Sequence, residues 1–178
     1  MKRLIDKATS LPLSAALLFL AGTGALAVAF VMQYGFGFDP CYLCLWQRFP
    51  YAIAAALSLL ALAWRPYRGQ TSLLLALCAA IYIGGAGLAF YHSGVEMHWW
   101  KGTDGCESQI LQSASIDELR EALLKAAEPR CDVIQGTLLG LSLTNWNVLA
   151  FLGLAFFAVL ALRKHLQILP HAGLPKRQ

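Results

Sequence analysis

Apolar positions gather into four long runs, at approximately 13–32, 45–64, 71–91 and 145–162, divided by polar or charged stretches. Each run approaches the roughly 20 residues that an α-helix needs to cross about 30 Å of hydrocarbon. The pattern predicts an all-α membrane protein, a four-transmembrane-helix bundle folded as a single membrane domain over 1–178, with outer loops at about 33–44 and 93–144. No fixed-period repeat or low-complexity linker points to a second domain. The first run contains Ala25-Leu26-Ala27, a passable cleavage site. It is longer than the roughly 7–15 apolar residues of a secretory signal, so an uncleaved first span is expected. A different period occupies the second outer loop. Ser115-Ile116-Asp117-Glu118 has the form of a capping box, and Ile116, Leu119, Ala122 and Leu123 recur at helical spacing among charged residues. Such a helix is too short to span. It is expected as a short amphipathic surface helix on the membrane, or as an ordinary helix packed over the mouth of the bundle.

Composition supports the membrane class, with 58% of residues hydrophobic and 13% charged, against about 25% charged in a typical soluble domain. The charges add an orientation. Lys2, Arg3, Lys7, Arg65, Arg68, Arg163, Lys164, Lys176 and Arg177 are nine of the fourteen basic residues, and all fall on one side of the four runs. The positive-inside rule makes that side, and both termini, cytoplasmic. The loop at 93–144 holds only Lys101, Arg120, Lys125 and Arg130 against eight acidic residues, on the outer face. The net charge of +4 is therefore a topology signal, and no clustered basic face suggests a nucleic-acid partner.

Four of the five cysteines, Cys41, Cys44, Cys106 and Cys131, lie on that outer side. An even set in an oxidising compartment implies disulfides. Cys78 falls within the third run, where it is expected as a small buried apolar residue. Asp39-Pro40-Cys41-Tyr42-Leu43-Cys44 precedes the second span, with Asp39 a favoured N-cap and Pro40 suited to the first helical position. Both cysteines are then expected in the first helical turns, where about half a positive charge favours a thiolate. Arg48 follows Cys44 by four residues and can share its helical face. The plain alternative is an ordinary disulfide at a helix start with Arg48 reaching lipid head groups. Pro50 should bend the helix just past Arg48, opening space that neighbouring helices could line for a flat, apolar cofactor, or it is simply a tolerated membrane proline.

Other candidates are weaker. Gly84-Gly85-Ala86-Gly87 lies inside an apolar run, so it reads as a close helix contact and not a nucleotide loop. His92 ends the third run, and could donate to a cofactor oxygen, relay a proton or serve as a structural interfacial histidine. Trp99 and Trp100 suit interface anchors. Cys106 follows the turn-rich Gly102-Thr103-Asp104-Gly105 and should be accessible. A bridge between Cys106 and Cys131 would close a long loop. Cys-x-x-Cys is also a metal spacing, but the other two cysteines are not a close pair, so no metal is expected. Leu45 stands where covalent haem attachment needs histidine. What remains is two separable cysteine pairs suited to thiol–disulfide exchange, with a lipid-soluble acceptor beside the membrane-proximal pair. A relay running outward, or a scaffold with two structural disulfides, uses the same residues.

Pro40-Cys41-Tyr42-Leu43-Cys44 with Gln47-Arg48, the run His92-Ser93-Gly94-Val95-Glu96 with Trp99-Trp100, the Cys106 and Cys131 pair, and Leu139-Gly140-Leu141-Ser142 together resemble the bacterial DsbB family of disulfide bond formation proteins. The resemblance covers essentially the whole chain. It implies an inner-membrane thiol:quinone oxidoreductase that reoxidises a periplasmic thioredoxin-like oxidase, DsbA. By this resemblance Cys106 takes the mixed disulfide with the partner, Cys131 attacks Cys41, and Cys44 becomes the thiolate facing ubiquinone or menaquinone. Arg48 and His92 would bind the quinone beside Cys44.

Overall fold

The computed structural model describes residues 11–63, 68–103, 106, 115–117 and 129–168. Four helices dominate: α1 (Leu11–Phe30), α2 (Tyr42–Ala63), α3 (Arg68–Glu96) and α4 (Leu143–Ile168). Each contributes a stretch long and apolar enough to cross a membrane, over Pro12–Gly35, Tyr42–Ala63, Thr71–Glu96 and Leu143–Gln167. The four expected spans are all present. The N-terminal basic cluster, the 64–67 turn, the tail from 169 and the surface helix expected beyond residue 117 lie outside the described residues.

α3 and α4 share the most extensive interface, followed by α1 with α2 and α2 with α3. Between them lies a core of Leu18, Tyr51, Ala54, Leu75, Ala79, Tyr82, Ala86, Ala89, Phe151, Ala155 and Ala158. Lipid tails are as apolar as leucine, so close van der Waals contact has to hold such helices together. Alanine and glycine provide it. A Cβ on Gly85 would lie 2.6 Å from the Phe151 ring, and Phe151 in turn stacks on Tyr51 with centroids 4.2 Å apart. The expected close helix contact of the third span is therefore made through Gly85. Leu20, Val28, Leu73, Ile83 and Phe156 are exposed on the outside of the bundle. Cys78 is buried, its Sγ 3.6 Å from Ser58 Oγ.

The outer ends differ from the sequence expectation in four places. α1 continues as a π-helical turn, Val31–Gly35, so the first outer loop begins later than residue 33. α2 begins at Tyr42, and its N-cap is Cys41 instead of Asp39. The Cys41 carbonyl accepts from Leu45 N (3.1 Å) and its Sγ from Cys44 N (3.4 Å), so the sulfur takes the place of the expected aspartate oxygen. α3 runs on to Glu96 instead of ending at Tyr91. Its polar last turn is satisfied by α4: Ser93 Oγ donates to Asn145 Oδ1 (2.6 Å), and Thr144 Oγ1 donates to Glu96 Oε1 (2.6 Å). Finally, the chain re-enters α4 through a two-residue hairpin, β1 (Thr137–Leu138) paired antiparallel with β2 (Leu141–Ser142). Leu139 (φ 52°) and Gly140 (φ 81°) form its turn, both left-handed as hairpin twist demands. Ser142 then caps α4, its Oγ accepting from Asn145 N at 3.2 Å.

Candidate functional site

All four outer cysteines meet at this end of the bundle. Cys41, Cys106 and Cys131 are buried in one cluster with Leu43 and Val95, and Cys44 packs against it. Cys106 and Cys131 form a disulfide. Cys41 and Cys44 are free thiols, with Sγ atoms 3.1 Å apart in hydrogen-bond contact.

Local structure explains each position. Cys41 sits at the N-cap and Cys44 one turn later, so the helix start brings both sulfurs to one side and aims the Cys44 amide at the Cys41 sulfur. From α3, His92 Nε2 reaches to 3.5 Å from Cys41 Sγ. Hydrogen bonding to Cys44 first, and then to His92, holds the Cys41 thiol far below its ordinary range, at about 4, against the opposing effect of burial. These contacts favour the thiolate at Cys41, although only 2% of its surface is exposed.

Cys106 lies in a tight turn, its N–H donating to Thr103 O at 2.7 Å. It is buried, contrary to the accessible thiol expected from its glycine-rich approach, because that glycine lets the turn close: Gly102 packs directly on the Cys106 side chain. A cleft of about 450 Å³ opens beside it, lined by Trp99, Trp100, Lys101, Arg130 and Asp132 among others. Trp100 stacks on Tyr91, and Trp99 is largely exposed. Arg130 pairs with Asp132 next to Cys131. The arginine holds the Asp132 carboxyl below the usual carboxylate range, first by hydrogen bonding and further by its charge.

His92 contacts the inner pair, whereas Arg48 contacts α1. The Arg48 guanidinium lies over the Phe30 ring of α1 at 5.0 Å, on the stripe of α2 that it shares with Cys44 one turn above. His92 stands between Cys41 and Gln47, whose Nε2 is 2.7 Å from His92 Nδ1. Gln47 and Asn147 carry no chemistry in the reading of the sequence, yet they line this site, and a polar side chain inside an apolar span was the signal for both.

Cys41, Cys44 and His92 offer three donor atoms within 4.8 Å of one another. Their sulfurs are at hydrogen-bond distance, 3.1 Å.

Comparison with known proteins gives the same direction. The family profile described as disulfide bond formation protein DsbB matches residues 12–161. The chain is 32% identical over 151 residues to disulfide bond formation protein B of Xanthomonas campestris pv. campestris strain 8004, covering 83% of this chain and 87% of that one. It is 34% identical over 149 residues to disulfide bond formation protein B 2 of Pseudomonas syringae pv. syringae, covering 76% and 79%. To disulfide bond formation protein B of Hahella chejuensis it is 30% identical over 140 residues, covering 77% and 84%. No solved structure gives a significant match. With its four helices long and apolar enough to span a membrane, its two cysteine pairs and a profile match over most of its length, the chain belongs to the DsbB family of disulfide bond formation proteins.

Proposed function

We propose that this protein is an inner-membrane thiol:quinone oxidoreductase that reoxidises a periplasmic thioredoxin-like oxidase of the DsbA kind. Both termini are cytoplasmic and the four cysteines periplasmic in this reading, and the chain works as one membrane domain. The observation that carries it is the single buried cluster in which a closed disulfide, Cys106–Cys131, packs with the free pair Cys41 and Cys44. Thiol–disulfide exchange requires such contact between the sulfur that attacks and the bond that opens.

The partner's thiolate attacks Cys106, forming a mixed disulfide and releasing Cys131 as a thiolate. The partner's second thiolate resolves the mixed disulfide and leaves oxidised. Cys131 attacks Cys41 of the oxidised inner pair and releases Cys44, and Cys106 then closes on Cys131, leaving Cys41 and Cys44 reduced. Two electrons have moved inward from one dithiol. The cleft beside Cys106 is where the partner's active-site segment would enter.

The residues fit a quinone approached from the bilayer. Cys44 and Arg48 are half-buried on one stripe, bordered by the exposed rings of Phe30, Trp46 and Phe49. One turn along from Phe30, Gln33 keeps a buried Oε1 that has no hydrogen-bond partner among the described residues, an acceptor that a quinol hydroxyl would satisfy. The recess on the His92 side holds only about 40 Å³, far below the roughly 300–1,000 Å³ of small-molecule pockets. Arg48 and Cys44 would hold the ring, and Arg48 would favour its reduced, anionic form. A bound quinone supplies the high-potential sink that accepts two electrons and two protons. The Cys41 sulfur closes on Cys44 as those electrons leave, which restores the inner disulfide.

The test is direct. Purified protein in detergent, mixed with ubiquinone and a reduced thioredoxin-like oxidase, should bleach the quinone absorbance, and Cys44→Ser should bring the rate to background. A wild type that leaves ubiquinone and menaquinone oxidised would overturn the reading.

A further inference from the structure

Between Asp132 and Arg163 the chain carries no charged residue. About twenty apolar residues suffice to cross the hydrocarbon, and α4 supplies them from Leu143 to Leu162. The stretch ahead of it, Val133 to Ser142, is therefore uncharged without being needed to span. It holds the hairpin of β1 and β2.

The hairpin has two unlike faces. Side chains alternate along a strand, and residues paired across an antiparallel ladder share a face. Thr137 thus faces the same way as its partner Ser142, and Leu138 the same way as Leu141. Ser142 is buried where it caps α4. The leucine face consequently points away from the bundle, and both of its leucines are exposed. At the tip, Leu139 is 86% exposed and holds φ at 52°. That left-handed conformation penalises a residue with a Cβ, and asparagine or glycine suits such a turn in water. A leucine gains nothing from water to offset the strain.

Hydrogen bonds fix the hairpin at the level where α4 begins. Leu143 N donates to Gly136 O at 3.2 Å, and Trp146 Nε1, one turn into the helix, donates to Leu138 O at 2.9 Å. With Leu162 at one edge of the hydrocarbon, a rise of about 1.5 Å per residue puts Leu143 at the other. The hairpin then lies in the head-group layer, which adds roughly 5–8 Å on each side.

We propose that this hairpin is a lipid anchor, with Leu138, Leu139 and Leu141 set in the boundary between head groups and acyl chains on the cysteine side of the bilayer. An uncharged leucine tip that continues a spanning helix fits a fluid acyl layer, and burial there recovers what water denies these side chains. The anchor also has a use inside the protein. Val133, Gln135 and Gly136, which lead into β1, line the recess that holds Cys41, Cys44 and His92. Gly136 packs closely, since a Cβ there would stand 3.2 Å from Leu143 and 3.3 Å from Phe38. A hairpin held by lipid holds this wall over the inner pair.

The experiment uses the full-length chain in phosphatidylcholine vesicles. Leu139→Trp is read as the difference in indole emission from wild type. Lipid brominated near the head end of its acyl chains should quench most of the added emission, and iodide on both faces of the vesicles little of it. Quenching by iodide alone would place the tip in water, and quenching by neither would place it against protein; either result overturns the inference. Leu138→Trp reads the same face and carries the test if the first variant fails to fold. A second measurement addresses the wall. Leu138→Ser with Leu139→Asn makes the hairpin polar while the asparagine keeps the turn. Alkylation of the reduced inner pair by a water-soluble maleimide should then become severalfold faster, and an unchanged rate would overturn the dependence of the wall on the anchor. Neither measurement uses turnover. A protein unable to reduce ubiquinone leaves both standing, and an active one with its tip in water loses the anchor alone.

Discussion

Cys41 stands at a helix N-cap, bonded to a backbone amide of its own helix and to an imidazole from the next. Cys106 and Cys131 are held in loop structure, by a turn over Gly102, contact with Val95 and the neighbouring Arg130–Asp132 pair. The inner sulfur is thus placed by directional bonds to the sulfur itself from two helices, and the outer pair by its own disulfide, a hydrogen bond to Thr103 and packing. Directional bonds fix protonation as well as position. A closed disulfide and packing fix position alone.

That contrast can be broken most sharply with Cys131→Ser. Turnover driven by a protein partner should fall to background, while a small dithiol added in its place should still reduce ubiquinone through Cys41 and Cys44. Loss of both activities would mean that the pairs are not separable. Next in size is a change that should touch neither pair. Leu75→Ala hollows the core deep in the bundle and should cost about 2–5 kcal/mol in detergent unfolding, with the Cys41 titration unchanged. Gly102→Val would force a Cβ to 2.7 Å from that of Cys106. Strain of about 1–3 kcal/mol should make the outer disulfide open faster with added dithiol, again without moving the inner midpoint.

The pH dependence separates the pairs more finely. Alkylation of the reduced inner pair at Cys41 should be flat through neutral pH and fall only as pH drops through about 4, because its thiolate is held there. The smallest effect belongs to Arg130→Ala. Both partners of that ion pair are partly exposed, at 41% and 27%, so the loss should be about 0–1 kcal/mol. The Asp132 carboxyl is depressed in the fold, so whatever it contributes is present above its unfolded pKa and lost as pH falls through the folded one. The difference between wild type and Arg130→Ala in detergent melting should therefore vanish in acid.

Hydropathy was enough to find the four spans, since twenty apolar residues in a row have few other uses. Their outer ends were not legible. α3 keeps its helix through Ser93 and Glu96 only because Asn145 and Thr144 wait on α4, and a partner brought by tertiary structure leaves no mark in the local pattern. The N-cap was misplaced for a related reason. Asp39 is the better capping residue by type, but the backbone turns into the helix two residues later, where a cysteine sulfur can take the role. The four cysteines that the fold gathers at one end stood out by their count and by their place between the apolar runs. Burial of Cys106 was not, because a glycine-rich stretch permits both a mobile loop and a tight turn. Gln47 was quoted only as part of a motif, although it recurs with Leu43 and Tyr51 on one buried face of α2, where a polar side chain has to find a partner.

The cap at Cys41 also binds the shape of a helix to the oxidation state of the molecule. A thiolate accepts the Cys44 amide and the His92 proton strongly, and a disulfide sulfur accepts them poorly. Whatever the first turn of α2 gains by being capped, it gains mainly when the pair is reduced. By thermodynamic linkage, the reduced form is favoured by the same amount, and the potential of the pair rises by about 30 mV for each 1.4 kcal/mol. In the proposed reaction the helix start would act as a bias on electron flow: it would draw electrons inward from the reduced loop pair, and with a main-chain amide in place of a side chain.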